Sequence, residues 1–447
     1  MNKKMAMARL LILLAIVACA SGSAIAEGGA AASQAQDWNA KFQATYVWQE
    51  KGAFAAAYSG PNSLSTRREK SYSFSATAAL GFKPWADGEV YFDPEAVQGV
   101  PLSGLTGLGG LSNGEIARTS GASLTVYRAR LFLRQTWGLG GGSDLVESGA
   151  NQLAGSADRR RWVLTLGNLS VIDIFDNNAY AHDPRTQFLN LSLMTHGAFD
   201  YAADARGYSW GAALERYGDG WAVRVGRFIQ PEEPNGRALD TRIFRHYGDQ
   251  IELEQGWTAA SGPGKLRLLA FRNRAVMSRY SDALDQSAAT AAIPDLRSVR
   301  TGAQVKKGAG LNLEQAVSAN IGAFARAMWA DGRTENYSFT EIDRSFSMGG
   351  VTKGERWGRG EDTAGLAVAV NGLSREHRDY LAAGGLGFFL GDGALNYRPE
   401  SILEAFYNLA AIKGGWVTLD WQHIRNPGYN ADRGPANFIG LRLHAEF

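Results

Sequence analysis

The carboxyl-terminal segment of the chain, Asn437–Phe447, alternates apolar and polar side chains up to an aromatic last residue. Apolar side chains occupy every second position, namely Ile439, Leu441, Leu443, Ala445 and Phe447, while Arg442, His444 and Glu446 lie between them. A period of two predicts a β-strand with two unlike faces. Such a strand with an aromatic end is typical of the closing strand of a bacterial outer-membrane barrel.

The amino-terminal residues predict export. Lys3, Lys4 and Arg9 form a basic start, residues 10–20 are an unbroken apolar run, and residues 24–26 are small enough for cleavage. We expect a signal peptide over residues 1–26 and one outer-membrane domain over residues 27–447. The apolar run is shorter than the roughly 20 residues of a membrane-spanning helix, and no later stretch reaches that length.

The single cysteine, Cys19, lies within the predicted signal peptide, so the mature chain is expected to contain no disulfide. An alternative stays open, because Ile16-Val17-Ala18-Cys19 loosely resembles a lipoprotein cleavage site that would lipidate Cys19. Unchanged mature mass after lipoprotein processing is blocked would exclude this alternative.

The composition suits a barrel. The chain has 54 glycines, 12 tryptophans, 16 tyrosines and 20 phenylalanines but only 12 prolines, which favours tight turns and interfacial rings. Its mean hydropathy of -0.22 is near neutral, as expected when lipid-facing and lumen-facing residues alternate. The formal net charge of +2 does not indicate a nucleic-acid partner.

The same alternation recurs along the chain and predicts an all-β fold. Seventeen segments fit it, among them residues 302–307, 310–317 and 382–390. Single-chain bacterial barrels have even strand numbers, so we predict a transmembrane antiparallel β-barrel of about 16 strands. Some connections are short and glycine-rich, such as Gly391–Gly393, while others are long, such as Gly138 to Arg161. Long extracellular loops and short periplasmic turns are expected.

One predicted strand, residues 127–137, carries an unusual number of arginines. Strict alternation places Arg128, Arg130 and Arg134 together on one face. A charged side chain at the bilayer midplane costs about 2–4 kcal/mol in a barrel wall, so we expect these arginines to line the lumen and to contact hydroxyl-rich or anionic solutes. Equally, they could pair with acidic residues across the lumen and stiffen the wall.

Three further predicted strands place mixed polar groups on the lumen face, among them Glu404, Asp420 and Arg442. Hydrogen-bond donors and acceptors beside aromatic rings suit a sugar, whose hydroxyls need partners and whose C–H faces stack on rings. Ordinary interior polarity of a water-filled barrel would also explain them.

Several blocks of the sequence resemble, in order, those of the carbohydrate-selective porin family of the OprB type. These blocks are residues 40–49, 58–64, 127–131, 173–180, 353–359, 391–393, 397–400, 426–430, 432–435 and 442–447. The resemblance implies a sixteen-stranded outer-membrane barrel that passes monosaccharides such as glucose by facilitated diffusion. A general or anion-preferring diffusion porin is the alternative.

The resemblance also implies loops that fold inward and narrow the pore. Glu95 and Glu115 lie in a glycine-rich stretch and are candidate acids of that narrow passage, or else solvated loop charges. The expected partners are carbohydrate solutes, outer-membrane lipid and the barrel-assembly machinery, with no nucleic acid. The barrel could be a monomer or a homotrimer, and no cofactor is implied.

Asp173, Asp176, Asn177 and Asp183 form a further polar group. Clustered oxygens can hold calcium, but their spacing differs from the twelve-residue loop of an EF-hand. We expect them to anchor a loop by side-chain hydrogen bonds rather than to form a metal site.

Two other classes of function fit the sequence less well than a pore. An outer-membrane hydrolase needs a nucleophile next to a base, and no Ser or Cys motif accompanies any of the six histidines. A secreted lectin or adhesin shares the export signal, but it leaves the apolar strand faces and the terminal Phe447 unexplained. We therefore expect no enzymatic activity.

Overall fold

The computed structural model describes residues 35–447, so the predicted signal peptide and Cys19 lie outside the described residues. No helix within residues 35–447 has the length and apolar character needed to cross a membrane. Sixteen antiparallel strands close into one barrel, and the predicted all-β barrel is confirmed.

The barrel strands follow one another around the wall in chain order. They are β1 Trp38–Lys51, β2 Glu69–Trp85, β3 Gly88–Val100, β4 Thr125–Gly138, β7 Arg161–Leu169, β8 Ser209–Tyr217, β9 Trp221–Ile229, β10 Tyr247–Ala259, β11 Gly262–Val276, β12 Ala303–Ser318, β13 Ile321–Ala330, β14 Arg344–Gly354, β15 Arg359–Gly372, β16 Glu400–Ile412, β17 Gly415–Arg425 and β18 Ala436–Glu446. A separate hairpin consists of β5 Ser143–Val146 and β6 Gly155–Asp158. Short helices lie in the connections, at Leu191–Met194, Tyr280–Thr290 and Arg375–Ala382.

The barrel closes where the last strand pairs with the first. β18 runs antiparallel to β1, from Gln43 opposite Glu446 to Lys51 opposite Phe438. Phe447 extends this pairing, because its backbone N–H donates to the Phe42 carbonyl oxygen at 2.9 Å. The amphipathic terminal segment is therefore the closing strand.

The outer face of the barrel is a belt of exposed apolar side chains, while the alternate side chains point inward. The belt includes Phe42, Leu80, Phe82, Val225, Ile251, Leu268, Leu311, Leu366, Leu419 and Ile439. Tryptophans such as Trp85, Trp257, Trp329 and Trp421 are exposed with them. A ring of this kind matches the hydrocarbon layer and its two interfaces.

Connections at one end of the barrel are mostly short, and those at the other end are long. Because short turns face the periplasm in such barrels, the long connections are extracellular. The second extracellular loop comprises residues 101–124, the third 170–208, the fourth 230–246, the sixth 331–343 and the seventh 373–399. The third loop contributes nine residues to the largest buried apolar cluster inside the lumen, and the second loop adds Leu111 and Ile116.

One long connection lies at the periplasmic end, contrary to expectation. Residues 139–160 join β4 to β7 and carry the β5–β6 hairpin. Part of this connection is held against the barrel wall, since Asn39 Nδ2 donates to the Gln152 carbonyl oxygen at 2.9 Å and Leu153 is buried. Conversely, Gly391–Gly393 is not a short turn but part of the seventh extracellular loop.

Three of the predicted strand segments need correction, although the strand number is right. Residues 302–307 and 310–317 form one strand, β12, whose apolar face is interrupted by the outward Lys307. Residues 382–390 form no strand, because they follow a helix and pack inside the extracellular cap. β14 was missed, since Gly349 and Gly350 weaken its alternation.

Candidate functional site

The third extracellular loop (residues 170–208) crosses the lumen and is fixed at a buried ion pair. Arg326 on β13 donates from Nε to Asp176 Oδ1 at 3.0 Å and from a terminal nitrogen to the Ala181 carbonyl oxygen at 2.7 Å. Both charged side chains are buried. Because an unpaired buried charge is costly, this pair holds the loop firmly inside the barrel.

Strands β16 to β18 hold the other side of the third loop. The Glu404 carboxylate accepts from the backbone N–H groups of Leu189 and Asn190, at 2.5 and 3.0 Å. Arg442 donates to the carbonyl oxygens of Pro184 and Gln187, at 2.7 and 3.0 Å. The loop backbone is thus bonded to side chains of strands β13, β16 and β18.

The second loop (residues 101–124) packs against the third. The Gly114 N–H donates to the Leu189 carbonyl oxygen at 2.7 Å, and the Leu191 N–H donates to the Leu111 carbonyl oxygen at 2.9 Å. On its other side, Asn113 Nδ2 donates to Ser73 Oγ of β2 at 2.9 Å. The two loops therefore narrow the lumen as one unit.

At the edge of this unit, Arg185 of the third loop meets two carboxylates. Its Nε donates to Glu115 Oε1 at 2.9 Å, and its terminal nitrogen lies 3.5 Å from Glu95 Oε2. Glu95 also accepts from the hydroxyls of Thr77, at 2.7 Å, and Tyr127. The Arg185 side chain remains about a quarter exposed, at 26%.

A second ion group lies beside the first. Arg130 on β4 makes a two-pronged contact with Asp173 of the third loop, at 2.7 and 2.6 Å, and lies 3.4 Å from Asp93. Its guanidinium also covers the ring of Tyr208 at 5.3 Å. We call Glu95, Glu115, Arg130, Asp173 and Arg185 the eyelet.

Charges in the loop part of the eyelet are shifted by burial and by each other. Burial raises the pKa of Glu115 above its ordinary value, although Arg185 opposes that change. Burial alone would lower the pKa of Arg185, but Glu115 and Glu95 outweigh it, so the pKa lies above its ordinary value and the guanidinium stays charged. Carboxylate and guanidinium groups thus alternate within the eyelet.

The opposite wall carries its own ladder of paired charges. Arg224 contacts Glu252 at 2.9 Å and Glu254 at 3.1 Å, and Arg267 contacts Glu254 at 2.8 Å and Glu314 at 3.1 Å. These side chains point inward from β9 to β12 and are largely buried. The lumen is therefore polar on both sides, with charges mostly compensated.

Below the loops, on the periplasmic side, a cavity of about 910 Å³ opens. The third loop forms its roof through Tyr180, Thr186 and Gln187, and its walls include Phe406 and Asn408 of β16. Aromatic and amide side chains thus line the space below the third loop.

The predicted site residues on β4 do not all face the lumen. Arg130 and Arg134 do, and Arg134 lies 3.5 Å from Glu89. Arg128 is exposed on the outer side, where its guanidinium covers the ring of Trp210 at 5.1 Å. The cause is a β-bulge: Asp93 faces Arg130, but Pro94 faces Arg128, so Ala129 is an extra residue that reverses the alternation. The prediction of a lumen position for Arg128 is wrong.

The other predicted residues do face inward, namely Glu95, Glu115, Glu404, Asp420 and Arg442. Glu115 lies on the infolded second loop, but Glu95 lies on strand β3 rather than in a loop. Glu404, Asp420 and Arg442 are 0%, 3% and 1% exposed, because the third loop covers them. Glu404 and Arg442 anchor that loop, whereas Asp420 accepts a hydrogen bond from Gln422 Nε2 of the same strand at 3.0 Å.

Sequence reasoning missed Arg185 and Tyr208. Both lie in the third loop, where no alternation exists, and Arg185 is 70 residues from its partner Glu115. A signal was available in the polar group predicted as a loop anchor, because Asp173 and Asp176 fix the loop that carries Arg185. No group of three or more His, Cys, Asp or Glu residues suited to a metal occurs within the described part of the chain.

The comparisons with known proteins agree with this architecture. The family model described as "Carbohydrate-selective porin, OprB family" matches residues 61–447. The high-pH structure of Pseudomonas putida OprB is similar with a TM-score of 0.69 and 17% identity, covering 92% of this chain and 94% of that one. The outer membrane channel DcaP of Acinetobacter baumannii gives a TM-score of 0.49 and 11% identity, with coverage of 94% and 100%. No curated protein matches by sequence.

Proposed function

Because the chain belongs to the carbohydrate-selective porin family of the OprB type, we propose that its eyelet sorts sugars by size and charge and favours monosaccharides such as glucose. The chain is a porin of the Gram-negative outer membrane, and its substrates are carbohydrates. The observation that carries the proposal is the contact of Arg185 with Glu115 and Glu95 at the edge of the loops that cross the lumen.

The chemistry of the eyelet suits a neutral polyol. Carboxylate oxygens accept hydrogen bonds from sugar hydroxyls, guanidinium groups donate to them, and the half-buried Tyr208 ring offers a face to C–H groups. Each charged group already has a partner of opposite sign, so a bound sugar replaces hydration without creating an unpaired charge. Such contacts are favourable enough for entry and weak enough for release.

The preference for small sugars is supported by the way in which the loops are held. The Arg326–Asp176 ion pair and the hydrogen bonds that involve Glu404 and Arg442 bind the third loop to the wall at three strands. A loop anchored in this way cannot move aside easily for a larger solute. Transport is passive, and the solute follows its concentration gradient.

An anion-preferring pore is the alternative. The charge balance of the eyelet disfavours anions, because it contains three carboxylates and only two guanidinium groups. The carboxylates belong to Glu95, Glu115 and Asp173, and the guanidinium groups to Arg130 and Arg185. A free anion that approaches Arg185 must compete with carboxylates already in place.

The absence of catalysis is likewise our proposal, within a family of channels. The His444 ring lies 2.8 Å from the Thr45 hydroxyl, an arrangement that resembles part of a hydrolase site. Both residues are buried, however, and Thr45 donates its proton to Gln43 at 2.8 Å. The hydroxyl is therefore neither accessible to a substrate nor activated by the imidazole.

We also propose that the barrel-assembly machinery inserts the chain into the outer membrane. The oligomeric state, monomer or homotrimer, is open to measurement by native mass spectrometry.

Single-channel recording tests the proposal on sugars. Glucose added on one side is expected to reduce the ion current in a concentration-dependent way, since a sugar in the eyelet displaces the ions. Arg185→Ala is expected to weaken this block, and Arg425→Ala, an exposed position on the outer face of β17, is the matched control. No glucose block in the unaltered channel would refute the proposal.

A further inference from the structure

The outer face of the barrel carries a row of basic side chains across strands β9 to β12. By strand alternation, Arg227 on β9, Arg272 on β11 and Lys307 on β12 point away from the lumen. The register places them side by side, because Asp249 on β10 faces both Arg227 and Arg272, and Arg272 faces Lys307. Arg272 and Lys307 are exposed. We call Arg227, Arg272 and Lys307 the outer basic row.

The row lies above the apolar belt, at the extracellular interface. Asp249, at the level of the row, is eight residues from Trp257 at the periplasmic end of β10. At about 3.3 Å per residue and a tilt of about 40°, the two levels differ by roughly 20 Å. Trp329 on β13 pairs with the residue two positions below Lys307 on β12, and it marks the upper aromatic girdle. Charges cost little at this depth, about 0–1 kcal/mol, so the row is compatible with a stable barrel.

The positive charge of the row is only partly neutralised by the protein. Arg227 makes two hydrogen bonds to Asp249, at 2.7 and 2.8 Å, so that pair is compensated. Within residues 35–447, neither the Arg272 guanidinium nor the Lys307 ammonium forms an ion pair, although the Asp331 carboxylate accepts from the Lys307 backbone N–H at 3.2 Å. Arg274, also outward on β11, adds a further positive charge next to Arg272 and donates to the Arg245 carbonyl oxygen.

The arginines of the row are held in place by an aromatic ring. Tyr247 at the start of β10 lies between them, with the Arg227 guanidinium 4.0 Å and the Arg272 guanidinium 5.8 Å from its ring centre. Such cation–π contacts limit the motion of long side chains. The row is therefore a preorganised site, unlike separate flexible surface lysines.

We propose that the outer basic row binds the phosphate group of an anionic glycolipid in the outer leaflet of the membrane. Guanidinium groups match phosphate oxygens through paired hydrogen bonds, and a lysine adds a point charge. Directly below the row, Val225, Ile251, Leu268 and Leu311 are exposed and present an apolar surface to acyl chains. A surface with cations above and apolar side chains below matches a phosphorylated lipid, because free phosphate has no part that the apolar side chains could contact.

This site is separate from the eyelet, and its test does not depend on sugar transport. The purified barrel in mild detergent is titrated with bisphosphorylated lipid A, with the same lipid after removal of its phosphates, and with inorganic phosphate. Bound lipid is counted by native mass spectrometry. Arg272→Gln combined with Lys307→Gln is compared with Lys70→Gln combined with Arg425→Gln, two outward basic positions on β2 and β17 away from the row.

We expect the unaltered protein to bind only the phosphorylated lipid tightly. The first double variant should lose about 10- to 30-fold in affinity, because each cation near a membrane surface contributes a factor of about five. The control variant should bind as the unaltered protein does. A second readout needs no variant, since affinity must fall as salt is raised. Heat-modifiable gel mobility reports that both variants are folded.

Three results would overturn the proposal. Equal lipid binding by the two double variants would show that the row is not the site. Inorganic phosphate that competes as well as the lipid would assign the row to a soluble anion. Dimers or trimers of the unaltered chain that disappear in the first double variant would assign it to a second copy of the chain.

Discussion

Arg185 Nε lies 2.9 Å from Glu115 Oε1, and this contact joins two extracellular loops inside the barrel. Glu115 belongs to the loop between β3 and β4, and Arg185 to the loop between β7 and β8. The narrow part of the pore is therefore built from two segments that are distant in the chain.

Replacing Arg185 by Ala should change the charge selectivity of the pore. Glu95 and Glu115 would lose their cationic partner. The cation-to-anion permeability ratio is expected to rise roughly threefold, since a partly exposed ion pair contributes under about 1 kcal/mol. Reversal potentials in a salt gradient measure the ratio. Arg185→Lys retains the charge and should stay close to the unaltered channel; a similar change in both variants would argue against an electrostatic cause.

Arg130 and Arg128 offer a matched pair on one strand. Arg130→Ala should alter glucose flux by about twofold or more, because it removes an eyelet group that contacts Asp173. Arg128→Ala should leave the flux unchanged, because Arg128 lies on the outer face against Trp210. Liposome swelling in glucose compares the two. Equal effects of the two substitutions would contradict the assignment of their faces.

The buried pair Arg326–Asp176 should be essential for holding the third loop. Arg326→Leu leaves Asp176 buried and uncompensated, which typically costs about 3–5 kcal/mol. Trypsin is then expected to cut the loop at Arg185, and cleavage sites are identified by mass spectrometry. Adding Asp176→Asn to Arg326→Leu removes the unpaired charge and should restore much of the protection. Equal cleavage of the single and double variants would show that the ion pair does not hold the loop.

Acidification should loosen the same loop. Burial lowers the pKa of His196 to about 4, and burial also lowers the pKa of His182. With an ordinary value of about 6.5, each imidazole takes up a proton more readily when the loop is released than when it is packed. The free energy that keeps the loop packed is therefore fully present above about pH 6.5 and decreases as the pH falls towards 4. For His196 the decrease amounts to about 3 kcal/mol.

Trypsin sensitivity of the loop, measured in parallel at pH 7 and pH 4.5 after correction for protease activity, reports this change. His196→Asn cannot be protonated in this range and should weaken the pH dependence. A loop that is equally resistant at both pH values would show that these histidines do not control its packing.

Much of the barrel could be predicted from the sequence, because alternation decides the face of each side chain on a regular strand. The closing strand shows this clearly: Arg442 and His444 are buried inside, as their positions relative to Leu441 and Leu443 indicate. The alternation of side-chain faces is interrupted at Ala129, where a bulge reverses the faces of β4. Pro94, opposite the bulge, was a usable signal, since proline cannot donate to the ladder and is often found at bulges.

The eyelet was less predictable than the wall. Parity correctly placed Glu404 and Asp420 on the lumen side, but it could not show that residues 184–190 of a distant loop cover them. Likewise, Arg185 has no periodic neighbours, and its contacts with Glu95 and Glu115 depend on how two loops pack. Loop packing joins residues far apart in the chain, which local patterns do not encode.

Liposome swelling with solutes of graded size and charge tests the central claim most directly. Proteoliposomes that contain the unaltered chain are placed in isotonic glucose, a disaccharide and gluconate, a glucose-sized anion. We predict fast swelling in glucose and much slower swelling in both the disaccharide and gluconate, because the eyelet is narrow and already contains paired carboxylates. Equal rates for glucose and the disaccharide, or faster entry of gluconate, would contradict a pore that selects small neutral sugars.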